Sequence, residues 1–249
     1  MTTFKDNFSA QAATYAKFRP TYPDSLFEYL SGLCPERKTA WDCATGNGQC
    51  AIPLTRFFQS VIATDASEKQ LSNAQKNPKV DYRLAPAEES GLTDESIDLI
   101  TVAQALHWFQ LEHFWTEARR VLRPKGVIAV WCYAFLEIAP EIDAIVNRFY
   151  SETVGPYWDF ERTLVEDGYR TIAFPFAGIA VPKFAMSAAW SLAHLVGYLQ
   201  SWSATQNFIA KKRFDPTQQV GAELAAIWGD PSTVREVQWP LHFKIGRKV

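Results

Sequence analysis

The chain reads as an α/β protein built on a mostly parallel sheet with helices on both faces. Three observations carry that prediction. From Thr39 to about Cys132, short β-rich runs alternate with amphipathic stretches, the signature of strand-helix-strand units. The first run ends in a turn of small residues, Ala44-Thr-Gly46-Asn-Gly48, and the second ends in an acid, Asp65.

The elements follow in order. Residues 4–31 carry Phe8, Tyr15, Phe18, Arg19 and Tyr22 at near-helical spacing, and Arg19-Pro20 and Tyr22-Pro23 break this leader before a new helix at about Asp24. Strands are expected at Thr39–Ala44, Val61–Asp65, Asp81–Ala85, Ile97–Ala103 and Gly126–Tyr133. Leu111, Phe114, Trp115, Ala118, Val121 and Leu122 share one helical face, which Pro124-Lys125-Gly126 brings to a stop. Beyond Tyr133 the rhythm changes. Pro140–Thr153 reads as a helix and Gly155–Trp158 as a loop. Ala188, Leu192, Leu195, Val196, Leu199 and Trp202 mark a second helix, Thr217–Trp228 a third, and Val234–Arg247 a final strand. No repeat or low-complexity linker divides the chain, so one domain is expected over 1–249. Its parts are a leader covering the cofactor (1–31), a cofactor-binding core (32–133), a helical cap with late sheet elements (134–233) and a closing strand (234–249).

With 25 basic against 27 acidic side chains, there is no electrostatic footprint for nucleic acid. Lys211-Lys212-Arg213 reads as a solvated helix end. Cys34, Cys43, Cys50 and Cys132 form no CxxC pair, which suits a reduced, cytoplasmic protein. The N-terminus has no apolar leader, and Val127–Leu136 is too short to cross a bilayer. His113, His194 and His242 are scattered, and without HxH, HExxH or a Cys cluster no metal is expected.

The glycines alone do not select a ligand, because Gly46-x-Gly48-x-x-Ala51 also fits a dinucleotide fingerprint. Asp42, two residues before the turn, discriminates. A pyrophosphate at that turn would face a fixed negative charge, whereas S-adenosylmethionine would present an ammonium group and no phosphate. Asp65, 23 residues further on, suits the two hydroxyls of a ribose. On this argument a nicotinamide oxidoreductase is disfavoured. A cofactor-binding protein without turnover stays open.

Asp42–Gly48, Val61-Ile-Ala-Thr-Asp65, Ala85-Pro-Ala-Glu88, Asp98–Gln104 and Arg120–Gly126 together resemble the class I S-adenosylmethionine-dependent methyltransferases of the methyltransferase type 11 kind. Arg19–Pro23, Ala105–Phe109, Ile128–Trp131, Gly155–Trp158, Ser201–Ser203 and Lys244–Val249 look like the trans-aconitate methyltransferase group. The resemblance implies a Rossmann-like, mostly parallel seven-stranded sheet with a helical cap. It also implies that Asp42, Ala44, Gly46 and Gly48 surround the methionine portion of the cofactor, that Asp65 holds the ribose, that Ala66, Ala87 and Glu88 border the adenine, and that Gln104 lies under the sulfonium. Tyr15 and Arg19 would cover the cofactor from the leader. Ala44 stands where the family usually has Gly, which is tolerable if its φ is negative.

Methyl transfer from an activated sulfonium asks the protein mainly for positioning. The implied acceptor is a small molecule; a carboxylate such as trans-aconitate would already be ionised at neutral pH. Phenol, amine or carbon acceptors would need a base, and His107 is the candidate catalytic residue. Arg19, Arg162 and Arg170 are candidate partners for an anionic acceptor. Tyr15, Tyr22, Trp131, Tyr133, Trp158 and Trp202 are candidate walls of its pocket. DNA adenine methylation is disfavoured, since Gln104-Ala-Leu-His107 is not an Asn/Asp-Pro-Pro-aromatic loop able to hold a flipped base.

Overall fold

The five strands expected up to Tyr133 appear within a few residues of their sequence bounds; four are apolar and largely buried, whereas the run at residues 80–84 is mostly exposed at the edge of the sheet. The computed structural model describes residues 18–249; Phe8 and Tyr15 lie outside the described residues. Helix α1 (Asp24–Leu33) leads into β1 (Thr39–Cys43), α2 (Ala51–Leu54), β2 (Ser60–Asp65), α3 (Glu68–Ser72) and β3 (Val80–Leu84). Then come β4 (Ile97–Ala103), α4 (Leu111–Val121) and β5 (Leu122–Cys132). The back third holds α5 (Pro140–Arg148), α6 (Arg162–Glu166), β6 (Ala177–Gly178), β7 (Ala185–Trp190), α7 (Leu192–Gln200), α8 (Ser203–Lys212), α9 (Thr217–Trp228), β8 (Arg235–Pro240) and β9 (His242–Arg247).

The main sheet has seven strands in the order β3-β2-β1-β4-β5-β9-β6. The first five are parallel, and β9 runs antiparallel to both of its neighbours. Alternate residues feed two cores. Ala40, Leu99, Val127, Ala129 and Trp131 pack toward α1 and the cap. Trp41, Cys43, Ile100, Val102, Ile128 and Val130 pack toward the apolar face of α4. Full burial of each large side chain contributes roughly 1.5–3 kcal/mol, so both faces are strongly specified. Strand order reverses between β1 and β4, and in open α/β sheets ligands bind beyond the carboxyl ends of the strands at such a switch point.

The structure corrects four expectations. The final strand is two strands: Pro240 cannot donate to a ladder beyond it, so β8 pairs with β7 in a separate ribbon and only β9 enters the main sheet. Residues 140–153 are an α-helix only to Arg148, after which Phe149–Thr153 forms one π-helical turn. Ala188 lies on β7, not on the helix that begins at Leu192. Trp131 lies fully buried in the core under Phe243 and Tyr22, not on a pocket wall. The basic run does end a helix: Lys211 and Lys212 close α8, and Arg213 adopts the left-handed conformation after it.

Candidate active site

A cavity of about 550 Å³ opens at the switch point, within the range of small-ligand sites. Its floor is the bend after β1. Ala44, Gly46 and Gly48 all have positive φ, at 54°, 58° and 91°. At Gly48 an added Cβ would lie 2.5 Å from the Tyr82 hydroxyl, so backbone alone fits there. Ala44 does not meet the condition set from the sequence: its φ is left-handed, and the methyl group strains a turn that glycine would form freely. Such strain at a ligand-facing turn is often functional.

Asp42 lies beneath this bend, 1% exposed. Its carboxylate accepts hydrogen bonds from the hydroxyls of Thr45 (2.5 Å) and Thr101 (2.7 Å). Burial raises its pKa to about 6; the two hydroxyls and the Ala51 N–H pull the other way, and the nearby Asp65 charge adds to the rise. Asp42 therefore underlies the cavity as a strained buried charge, with its oxygens held by hydroxyls. Asp65, at the end of β2, accepts from the backbone N–H of Gly46 (2.8 Å) and of Ser67 (2.9 Å), which ties the two strand ends together. Ala66, Ala87 and Glu88 line the same cavity. Glu88 accepts from Gln110 N (2.7 Å), and buried Glu117 accepts from Ser90 N (2.9 Å); together these anchor the 85–92 loop to α4.

Gln104 follows β4 with φ 58°. Its side chain is committed: Nε2 donates to Tyr133 O (2.7 Å) and Oε1 accepts from Tyr133 N (3.1 Å). The left-handed turn and these two bonds fix Gln104 where it lines the cavity. His107, in a 3₁₀ turn just after, is bonded through Nδ1 to the Tyr169 hydroxyl (2.8 Å). Burial, with a smaller contribution from the Arg162 charge, lowers its pKa to about 3. A neutral imidazole so reluctant to take a proton is a poor general base at pH 7.

A smaller cavity of about 60 Å³ adjoins the first through Gln104, His107, Trp108 and Tyr133. Trp158 and Trp202 wall it, and Arg19 and Arg162 enter it. The Arg162 guanidinium lies 4.9 Å from the Trp158 ring centroid and 5.6 Å from that of Tyr150. It donates from Nε to the Tyr150 hydroxyl (2.9 Å) and from Nη2 to Ala134 O (3.3 Å), and it makes no salt bridge among the described residues. Arg19 lies over the Tyr198 ring and donates to Ser201 O (3.4 Å). Tyr22 lines the larger cavity. Arg170 is excluded from the site: it is exposed and paired with Asp167. All four cysteines are free and buried, and among the described residues no three His, Cys, Asp or Glu side chains converge on a metal position.

Residues 41–130 match the family model described as a methyltransferase domain. A candidate methyltransferase of Dictyostelium discoideum is 34% identical over 99% of this chain and 97% of its own. The chain belongs to the class I S-adenosylmethionine-dependent methyltransferases. A Saccharomyces cerevisiae protein, CRG1, named as a candidate enzyme of that kind, is 30% identical to this methyltransferase over 69% of its chain and 61% of the yeast protein. The solved structure of a candidate type II methyltransferase from Anaeromyxobacter dehalogenans is 40% identical, covers 93% of this chain and 99% of its own, and superposes with a TM-score of 0.87. No described helix of the methyltransferase is long and apolar enough to cross a membrane.

Sequence reasoning misses several residues of the methyltransferase's site: Thr45, Thr101, Tyr150 and Tyr169. Thr101 is the register partner of Asp42 across β1 and β4, a pairing legible only once those strands are known to be neighbours. Tyr150 reaches Arg162 because the π-helical turn re-aims it, and Tyr169 reaches His107 from 62 residues away. Only Thr45, three residues from Asp42 inside the turn, carries a local signal.

Proposed function

We propose that this methyltransferase transfers a methyl group from S-adenosylmethionine to a carboxylate oxygen of a small acid, with trans-aconitate as a representative acceptor. The main support is the juxtaposition of a large cavity floored by Asp42 and Asp65 with a small aromatic one entered by Arg162. Bound S-adenosylmethionine supplies a methyl on a sulfonium, so that transfer forms a C–O bond, breaks a C–S bond and leaves the electron pair on sulfur. The chain fits that cofactor: the bend at Gly46 and Gly48 has room for an amino acid moiety and no compensation for phosphate, because a carboxylate lies beneath it.

In this reading the backbone of Ala44–Gly48 and the Gln104 peptide hold the methionine portion, with the Asp42 charge attracting its ammonium group. Asp65 accepts from the ribose hydroxyls. Ala66, Ala87 and Glu88 border the adenine, and Arg19 belongs to the cover. Arg162 holds the acceptor's carboxylate by paired charge-assisted hydrogen bonds. His107 stands between the two cavities, where it faces the acceptor and not the adenine. A carboxylate gives up no proton on methylation, so the site needs no base, which agrees with the poor basicity of His107. Water excluded from an aromatic pocket strengthens the remaining electrostatic contacts.

The test is calorimetric titration with S-adenosylhomocysteine and NADH, followed by labelled methyl transfer to a panel of carboxylic acids, amines and phenols. Binding of the first ligand alone and an alkali-labile ester product are expected. Methylation of amines or phenols with every carboxylate inert would overturn the acceptor assignment. Asp65→Ala should cost about 1.5–3 kcal/mol, or roughly 10- to 150-fold in S-adenosylhomocysteine affinity. Unchanged affinity would overturn the ribose assignment.

A further inference from the structure

We propose that His107 serves as a neutral hydrogen-bond donor to the acceptor oxygen through Nε2–H, and that buried Tyr169 is the positioning residue that locks this tautomer. The inference rests on the site reading above and gives His107 a role opposite to proton abstraction.

The donors and acceptors around Tyr169 fix the tautomer. A phenol has one hydrogen to give and can accept in return. Tyr169 is buried, 1% exposed, and among the described residues its hydroxyl makes one hydrogen bond, with His107 Nδ1 at 2.8 Å. A buried hydroxyl hydrogen needs an acceptor, and Nδ1 is the one in reach, so the phenol donates to it. With Nδ1 accepting, neutral imidazole carries its proton on Nε2. That is the nitrogen left for the cavities, which His107 lines on both sides. Tyr169 is held there at some cost: its φ is 59°, a conformation rarely tolerated by a bulky residue, at the turn that follows α6. α6 begins with Arg162, so one short segment, 162–169, delivers both the guanidinium and the phenol that orients the imidazole. The charged groups facing this region are Arg19, Arg162, Asp159 and Glu161. Burial and the Arg162 charge both disfavour an imidazolium.

A donor to a carboxylate contributes most when that carboxylate is fully charged, before methyl transfer. It should therefore act on acceptor KM more than on kcat, whereas a general base acts on kcat and imposes an acid limb on the pH profile.

The decisive experiment is long-range ¹H–¹⁵N correlation of the histidine rings in the S-adenosylhomocysteine complex, with His107 assigned from His107→Gln. A single neutral Nε2–H tautomer between about pH 5 and pH 8 is expected, becoming a mixture in Tyr169→Phe. An Nδ1–H tautomer, or titration within that window in the wild-type protein, would overturn the proposal. In methyl-transfer assays His107→Gln, which keeps a donor but offers no base, should stay within about tenfold of wild type in kcat/KM, and His107→Leu should fall further, mainly through KM. Equal losses carried by kcat would refute the donor role. Failure of S-adenosylhomocysteine to bind would instead strike the site reading, and the tautomer of the free protein would still be measurable.

Discussion

Asp42→Asn should make the ligand-free protein more stable at neutral pH while weakening its hold on the cofactor. Asp42 is 1% exposed and its pKa stands at about 6 against an ordinary 3.8. About two pKa units at about 1.4 kcal/mol each amount to about 3 kcal/mol that the ionised group subtracts from folding at high pH. The sign follows from the raised folded pKa: the contribution of Asp42 to stability is complete below about pH 4 and is lost as pH rises through 6. An asparagine keeps one oxygen acceptor, and the Thr45 or Thr101 hydroxyl can rotate to accept from its amide, so the hydrogen bonds are largely replaced. Urea unfolding of both proteins between about pH 4 and pH 8 should show a gap near zero at the acid end, widening in favour of the variant to as much as about 3 kcal/mol at the alkaline end. His107, whose lowered pKa removes stability from both proteins as pH falls below about 6.5, cancels in the difference. Calorimetry with S-adenosylhomocysteine should show the opposite order, with wild-type affinity falling as pH drops through about 6 and the affinity of the variant uniformly weaker. A gap in stability that does not change with pH would refute the assignment of a buried, destabilised carboxylate beneath the bend.

Other consequences follow from the same geometry. Ala44→Gly should stabilise the protein by about 1 kcal/mol in thermal or urea unfolding, since φ of 54° suits glycine better than alanine; a destabilised variant would contradict the left-handed turn. Gly48→Ala should destabilise by about 1–2 kcal/mol and weaken S-adenosylhomocysteine binding, because its φ is 91° and its Cβ would meet Tyr82. Arg162→Lys should raise KM for a carboxylate acceptor roughly tenfold with cofactor affinity unchanged, because lysine retains the charge but loses the fork and the Nε bond to Tyr150; an unaltered KM would remove Arg162 from the acceptor site.

The order of apolar runs and the small-residue turn by themselves determined that five parallel strands would form and that a ligand would lie where the first and second of them end. Such features are local: a period of two, a helix stop at Pro124-Lys125-Gly126, an acid after a β-branched run. Asp42 and Asp65 were legible for the same reason, each lying in the last residues of its strand. What tertiary structure decided was protonation and partnership. Asp42 has a high pKa because the sheet buries it, against the opposing pull of the Thr45 and Thr101 hydroxyls, Gln104 spends its side chain on Tyr133 at the end of the next strand, and His107 is kept neutral by burial and by a charge 55 residues away at Arg162. Those depend on desolvation and on contacts between elements remote in sequence, and the free energy of a buried charge is a property of everything packed around it, which no single stretch of chain encodes.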